Sequence, residues 1–405
     1  NLEQYQQTID FFEQQLVIVR EMGDRDRERG ILNDIGAAYA DLEQYEQAID
    51  FYEQSLAIAR EIGDRPGEGM ALGNLAVAYR NLEQDQQTIN FFEQQLVIVR
   101  EMGDRDRERG ILNDLGTASS RSGQYEQAIR FHEQGLAIAR EIGDRRGESI
   151  ALGNLAIVHQ NLEQYQQTID FFEQQLVIVR EMGDRAREQG ILNDIGAAYA
   201  DLGQYEQAIR FYDQSLVIAR EIGDRQGEGI ALGNLAVAYR NLEQYQQTID
   251  FFEQRLVIVR EMGDRARERG ILNDIGVAYA DLEQYEQAIR FYNQSLLVAR
   301  EIGDRPGEGR TLANLAVSHR NLGQYQQTID FFEQELVIVR EIGDRAGEQG
   351  ILNDIGSAYA DLEQYEQAMR YFEQSLAVAR EIGDRQGEGN ALGNLAVTYR
   401  DMGQY

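Results

Sequence analysis

Five letters, Glu-Met-Gly-Asp-Arg or Glu-Ile-Gly-Asp-Arg, return ten times along the chain, beginning at residues 21, 61, 101, 141, 181, 221, 261, 301, 341 and 381. A spacing of forty residues held this strictly argues against the two or three separate cores that 405 residues would otherwise suggest. Each short unit buries its apolar faces by stacking on the next, so the whole reads as one solenoid over residues 1–405. Alternate copies differ. One type reads FFEQQLVIVREMGDRDRERGILNDIGAAYA, the other FYEQSLAIAREIGDRPGEGMALGNLAVAYR, so the full period is eighty residues, present five times.

Within residues 41–80, Tyr45, Ala48, Ile49, Tyr52, Leu56 and Ala59 fall at helical spacing. A second stripe, Phe51, Ile58 and Ile62, gives the same helix two buried faces. Ala71, Leu72, Leu75, Ala76, Ala78 and Tyr79 repeat the pattern in the second half. Nothing alternates with period two, so the expected fold is all-α, about twenty antiparallel helices without strands. The five letters punctuate the helices. Gly63 suits a left-handed stop, and Asp64 can cap the helix that follows. Pro66 and Pro306 then fall in a first helical turn, where a missing N–H costs little. Glu68 places a negative charge near the same terminus. At the other junction the third letter is Gly123, Gly203, Gly323 and Gly403, but Glu in the remaining copies. A left-handed Glu there carries strain of about 1 kcal/mol.

With this pattern in hand, the chain resembles the tetratricopeptide repeat in its forty-residue form, through Leu75-Ala76…Tyr79 and Tyr45…Ala48…Tyr52. The phrase GDRxGE…ALGNLA is similar to the repeats of Pins/LGN-type adaptors and to the repeat tails of bacterial signalling proteins, including STAND-type NTPases. The resemblance implies a right-handed superhelix whose first helices line a concave groove for a protein or peptide. Mapped onto that groove are Met70, Gly73, Asn74, Val77 and Arg80, with Asn234, Val237 and Arg240, Asn314 and Arg320, and Asn394 and Arg400. The alternate units contribute Gly190, Asn193, Asp194, Ala197, Ala200 and Asp201. The arginines could grip acidic residues of a ligand, or pair with the aspartates of the neighbouring unit. A chaperone-type carboxylate clamp is not expected, since the chain has no Lys and its second clamp position is Val77 or Ala197.

Composition narrows the function further. There is no Cys, which excludes disulfides and thiolate chemistry, and no Lys, which excludes Schiff bases and a phosphate-loop lysine. A net charge of −31 disfavours nucleic acid and anionic membrane as partners, and a cytoplasmic location is expected. The glycine run Gly67-Glu-Gly69…Gly73 follows a helix, not a strand, so no nucleotide or other cofactor is expected. His132, His159 and His319 fill slots held elsewhere by Tyr212, Tyr239 and Tyr279 and read as packing residues. The Asp and Glu residues repeat at what read as solvated helix faces. No nucleophile and base recur together, so no enzyme is expected.

Two irregularities carry expectations of their own. Residues 115–124 lose a Tyr at Ser119 and a Leu at Ser122, and Asp85 stands where its sisters have Tyr, which should loosen that unit or open a notch. The chain starts and stops (at Tyr405) inside repeats and reads as a segment of a longer protein. Leu2, Tyr5, Ile9 and Phe12 at one end, and Ala391, Leu395 and Tyr399 at the other, should then be partly bare, favouring head-to-tail association. The function expected is a non-catalytic binding scaffold. A regulatory segment of a signalling protein and a self-assembling rod are the alternatives.

Overall fold

The turns make this architecture, and each is written locally. Gly63 adopts φ 73°, and the Asp64 N–H bonds back to the Ala59 carbonyl at 2.9 Å, closing the helix that precedes it. The Asp64 carboxylate then accepts the Gly67 N–H at 3.0 Å and opens the next, with Pro66 in its first turn. At the other junction Glu43, Glu83, Glu163, Glu243, Glu283 and Glu363 hold φ of 56–59°, where sister copies place glycine. The left-handed position expected there is present in the ten copies from Glu43 to Gly403, whereas Glu3, the first copy, lies inside a helix.

The computed structural model describes residues 2–403, with side chains from Tyr5 onward; the expectations on the side chains of Leu2 and Tyr405 lie outside the described residues. Twenty α-helices, and no strand, occur among the described residues. The even-numbered ones are α2 (Arg25–Asp41), α4 (Arg65–Asn81), α6 (Arg105–Arg121), α8 (Arg145–Asn161), α10 (Arg185–Asp201), α12 (Arg225–Asn241), α14 (Arg265–Asp281), α16 (Arg305–Asn321), α18 (Arg345–Asp361) and α20 (Arg385–Asp401). The odd-numbered ones are α1 (Leu2–Met22), α3 (Tyr45–Ile62), α5 (Asp85–Met102), α7 (Tyr125–Ile142), α9 (Tyr165–Met182), α11 (Tyr205–Ile222), α13 (Tyr245–Glu261), α15 (Tyr285–Ile302), α17 (Tyr325–Ile342) and α19 (Tyr365–Ile382). They form two compact units, residues 1–202 and 203–405, each a solenoid of ten helices.

In each unit consecutive helices pack antiparallel and share a core. Ala48, Ile49, Tyr52 and Leu56 of α3 meet Ala71, Leu72 and Leu75 of α4, and Ile98 of α5 closes the cluster. Ile62, expected in the second stripe, is exposed, because it lies in the last turn beyond the reach of the next helix. Rings bridge adjacent units. Tyr39 stacks on Phe51 and Tyr239 on Phe251, and His159 and His319 stack in the same way on Phe171 and Phe331 at 5.2 Å. These two histidines are packing residues, as expected. At the chain ends Tyr5 and Tyr399 are exposed, and Phe12 and Leu395 partly so. Ile9 and Ala391 are fully buried instead, Ile9 against Leu32 and Ile35 of its own hairpin.

The acidic residues are not all solvated faces. Glu68 is 8% exposed and accepts from Arg60 at 2.8 Å and Arg65 at 2.7 Å. The same buried node recurs at Glu28, Glu108, Glu148, Glu188, Glu228, Glu268, Glu308 and Glu348. Burial alone would push these carboxyls up, but the two arginines' hydrogen bonds outweigh it and hold Glu68, Glu228 and Glu308 below the ordinary range. Arg65 also reaches Glu101, the first letter of the next copy of the motif, as Arg305 reaches Glu341. The five letters therefore stop a helix, start a helix and tie one repeat to the next.

Candidate functional site

Successive even helices meet in two ways. They come close along α2/α4, α6/α8, α14/α16 and α18/α20, and stand further apart along α4/α6, α12/α14 and α16/α18. The odd helix beneath decides which. Under the close pairs it offers a small residue, Ser55, Gly135, Ser295 or Ser375; the serines are fully buried, and each donates its hydroxyl to a carbonyl of the preceding helix at 3.0 Å. Forty residues on, the same position holds Gln95, Gln175, Arg255 or Glu335. A long side chain there occupies the space between the even helices and leaves a groove above itself.

The first groove, between α4 and α6 over α5, encloses a cavity of about 670 Å³. Met70, Gly73 and Val77 form one wall, Gly110, Ile111 and Asp114 the other, and Gln95 the floor. An equivalent cavity of about 370 Å³ lies eighty residues on, between α8 and α10, with Ile150, Gly153, Ile157, Gly190 and Asp194 around Gln175. Gln95 donates to the Gly69 carbonyl at 2.9 Å, which leaves its Oε1 buried without a partner; Gln175 Oε1 is in the same position. Gly73 leaves room for the Gln95 side chain in its present place. A Cβ on it would come within 2.3 Å of the Gln95 amide, and one on Gly233 within 2.5 Å of the Arg255 guanidinium. These glycines admit a crossing side chain rather than a neighbouring backbone. Burial raises the wall aspartates Asp114, Asp274 and Asp354 above the usual carboxylate range, and pushes Asp194 up to about 6.

The residues mapped from the sequence divide into three sets. Val77 and Val237 are exposed, at 37% and 51%, and Val77 lines the first groove. The asparagines are engaged. Asn74 donates to Asn33 at 2.7 Å, Asn314 to Asn273 at 3.0 Å and Asn394 to Asn353 at 2.8 Å, each across a close even pair. Asn193 and Asn234 also have partners. Three arginines form loose ion pairs, Arg80 with Asp114 at 3.7 Å, Arg240 with Asp281 at 3.9 Å and Arg320 with Asp361 at 3.5 Å, while Arg400 donates a hydrogen bond to the adjacent Asp401 at 3.0 Å. Pairing with an aspartate of the neighbouring unit thus holds for Arg80, Arg240 and Arg320, whereas Arg400 pairs within its own helix. Such exposed pairs are worth about 0–1 kcal/mol each. Asp201 is exposed at the end of α10.

The groove floor escaped the sequence reading, although a signal for it existed. Residues 165–182, 245–262 and 325–342 are identical except at the floor, where they read Gln175, Arg255 and Glu335, and at a Met/Met/Ile last position. The floor is thus the one interior position of this helix at which these three copies differ.

The irregular unit keeps its helix, α6, with bounds matching its sisters. Asp85 is not a lost anchor: it ion-pairs with Arg121, which replaces the sister Asp201. The loss of the ring at Ser119 is real; the residue is fully buried and its Oγ has no partner. A separate cavity of about 300 Å³, which Ser119 does not line, lies between α6 and α8, with Thr117, Ser120, His132 and Asn154 around it. His132 is 1% exposed and lies over Gly116, a packing residue as expected, and burial pushes its imidazole down to about 4.

A stack of paired helices with exposed grooves between alternate members is the architecture of a helical-repeat solenoid, and no helix among the described residues is long and apolar enough to cross a membrane. The chain belongs to the tetratricopeptide repeat family, whose model matches residues 1–61, 28–101, 67–141, 106–181, 187–261, 268–341 and 348–405. The match is to the repeat as such and does not single out the Pins/LGN-type adaptors. No curated protein sequence matches the chain. Among solved structures, a signal transduction ATPase with numerous domains (STAND) protein with a tetratricopeptide repeat sensor, from Pyrococcus horikoshii, is 17% identical with a TM-score of 0.55. The alignment covers 86% of this chain and 55% of that one, so this chain spans about half the length of that protein. Aspartyl phosphate phosphatase F from Bacillus subtilis is 16% identical over 86% of this chain and 92% of its own, with a TM-score of 0.49. The apo quorum sensor NprR from B. thuringiensis is 14% identical over 84% and 99%, with a TM-score of 0.43. At these identities the likeness is one of fold.

Proposed function

We propose that the chain is a non-catalytic scaffold that seats an extended peptide or a protein surface in the grooves between its even helices. The observation that carries this reading is the cavity over α5 and its counterpart over α9, repeated with the eighty-residue period. A ladder of similar sites with apolar walls and a polar floor suits a chain-like ligand, because an extended peptide also presents side chains at regular intervals. The loosely paired Arg80, Arg240 and Arg320 at the groove edges, and the exposed Arg400, are available to acidic residues of such a ligand at small cost.

The test is binding of a random-peptide library by the full chain and by a variant with Val77, Ile157, Val237 and Val317 changed to Asp. All four side chains are exposed, so the fold is retained. Loss of peptide selection in the variant supports the groove, and unchanged selection overturns it. A second reading, a sensor segment of a larger signalling protein, is favoured by the fold shared with the STAND protein's repeats. It requires that the chain alter the catalytic rate of a domain joined to it. Head-to-tail association would cover Phe11 and Ile18 at one end and Leu392 and Tyr399 at the other, all exposed. A molar mass that stays monomeric as concentration rises would remove it.

A further inference from the structure

The groove floor differs in charge from one eighty-residue copy to the next while its surroundings repeat. In the unit spanning residues 203–405, the floor between α12 and α14 is Arg255 and that between α16 and α18 is Glu335. Both are largely withdrawn from water and incompletely satisfied: Arg255 Nε and Glu335 Oε2 are buried without a hydrogen-bond partner. The two sites balance differently. Arg255 lies near Asp274, which offsets its charge, whereas Glu335 lies near a second carboxylate, Asp354. The copy with Glu335 has also changed around it. Ala313 stands where the other grooves have Gly73, Gly153 and Gly233, and Arg310 stands at the rim where they have Met70, Ile150 and Ile230. Arg310 is exposed and forms no ion pair among the described residues.

A buried carboxylate oxygen that accepts no hydrogen bond is costly, and a second carboxylate beside it adds to the cost. Nothing in the α16–α18 wall removes that cost by contact. Arg320 partly offsets the field of Asp354, but its ion pair, at 3.5 Å, is with Asp361 and it makes none with Asp354 or Glu335 among the described residues. A donor arriving from the groove mouth would satisfy the oxygen and neutralise the pair. The chain's net charge of −31 draws a cationic partner toward it, and only Arg, never Lys, is available inside the molecule to do the same.

Resting on the groove reading above, we propose that the floor residue selects the ligand side chain seated over it, and that Glu335 with Asp354 makes the α16–α18 groove a receptor for a lysine or arginine side chain of an extended peptide. Arg255 sets the opposite choice, an acidic side chain, in the α12–α14 groove. The two grooves are two even-helix steps apart, roughly 20 Å at 8–10 Å per helix, so the two ligand residues lie about six positions apart in an extended peptide.

Two measurements test this. In the full chain labelled with carboxyl-¹³C glutamate, the Glu335 resonance is identified by its loss in Glu335→Gln and titrated with and without methylguanidinium chloride. The free carboxyl titrates near pH 7, raised by burial first and Asp354 second. Methylguanidinium lowers that midpoint by about one unit and sodium chloride at equal ionic strength does not. An equal response to both salts overturns the site. The second measurement is a positional-scanning peptide library. The wild-type chain selects Lys or Arg at one position, and Glu335→Gln loses that preference about tenfold. Glu335→Arg combined with Ala313→Gly, which copies the Arg255 groove, selects Asp or Glu there. Peptides that still bind but with no change of preference among the three proteins refute the floor reading and leave the groove standing. No peptide binding to any of them refutes the groove itself, and this proposal with it.

Discussion

The buried glutamate node invites a direct comparison, because one arginine serves two glutamates of different burial. Arg305 holds Glu308 at 2.6 Å and also reaches Glu341 of the following repeat. Glu308 is 8% exposed and accepts a second bond from Arg300 at 2.7 Å, whereas Glu341 is 53% exposed. Replacing Glu308 with Gln keeps the shape, removes the charge and turns an amide N–H toward one of the arginines. Breaking a fully buried pair costs about 3–5 kcal/mol. The two arginines here are themselves about half exposed, at 48% and 42%, so water compensates part of the loss and about 2–3 kcal/mol remains. Glu341→Gln removes only a solvent-screened contact and costs under about 1 kcal/mol. Urea unfolding followed by circular dichroism at 222 nm measures both. Repeat arrays uncouple when one interface weakens, so amide exchange in α15 and α16 should speed up selectively in the first variant. Equal losses for the two variants, or a loss below about 0.5 kcal/mol for Glu308→Gln, would refute the argument that burial decides the worth of these pairs.

Three further outcomes are expected. Glu243→Gly relieves a left-handed Glu at φ 57° and raises stability by about 0.5–1 kcal/mol, less whatever glycine adds to unfolded-chain entropy; a lower melting temperature would count against it. Ser119→Tyr with Ser122→Leu restores the ring and apolar anchor of the sister copies and raises the urea midpoint of the 1–202 unit, as exchange protection around α6 would report. His132 is neutral in both folded and unfolded chains above its ordinary value of 6.5; below it the unfolded chain takes up a proton that the folded chain refuses until about pH 4. The His132 contribution to stability therefore falls between pH 6.5 and 4 and is constant below, where the buried glutamates, held below their ordinary range, begin to lose theirs; His132→Tyr, copying Tyr212, flattens the slope above pH 4 in a pH series of unfolding curves.

Much of this molecule is legible in its letters because much of it is local. A left-handed Gly63, a capping Asp64 and a first-turn Pro66 act over three or four residues, so helix starts and stops were readable without any knowledge of packing. The forty-residue period then dictates that each helix meets the same kind of neighbour, which makes an all-helical stack the consequence of repetition. Even the His159 and His319 stacks follow, since they occupy a slot whose neighbours are known from the other copies.

What the letters left undecided are meetings between side chains from different helices, up to 41 positions apart, which depend on how one helix is set against the next. Glu68 reads as one more surface acid until Arg60 and Arg65 close over it. Asn74 reads as a free ligand-binding amide until Asn33 of the preceding even helix takes its N–H. Gln95 and Ser55 hold the same place in their repeats, yet one sits beneath an open groove and the other seals a close pair. Local propensity treats those side chains alike, because both sit comfortably in a helix. Only the tertiary structure, by setting the space between even helices against the length of the side chain beneath them, decided where a ligand can enter.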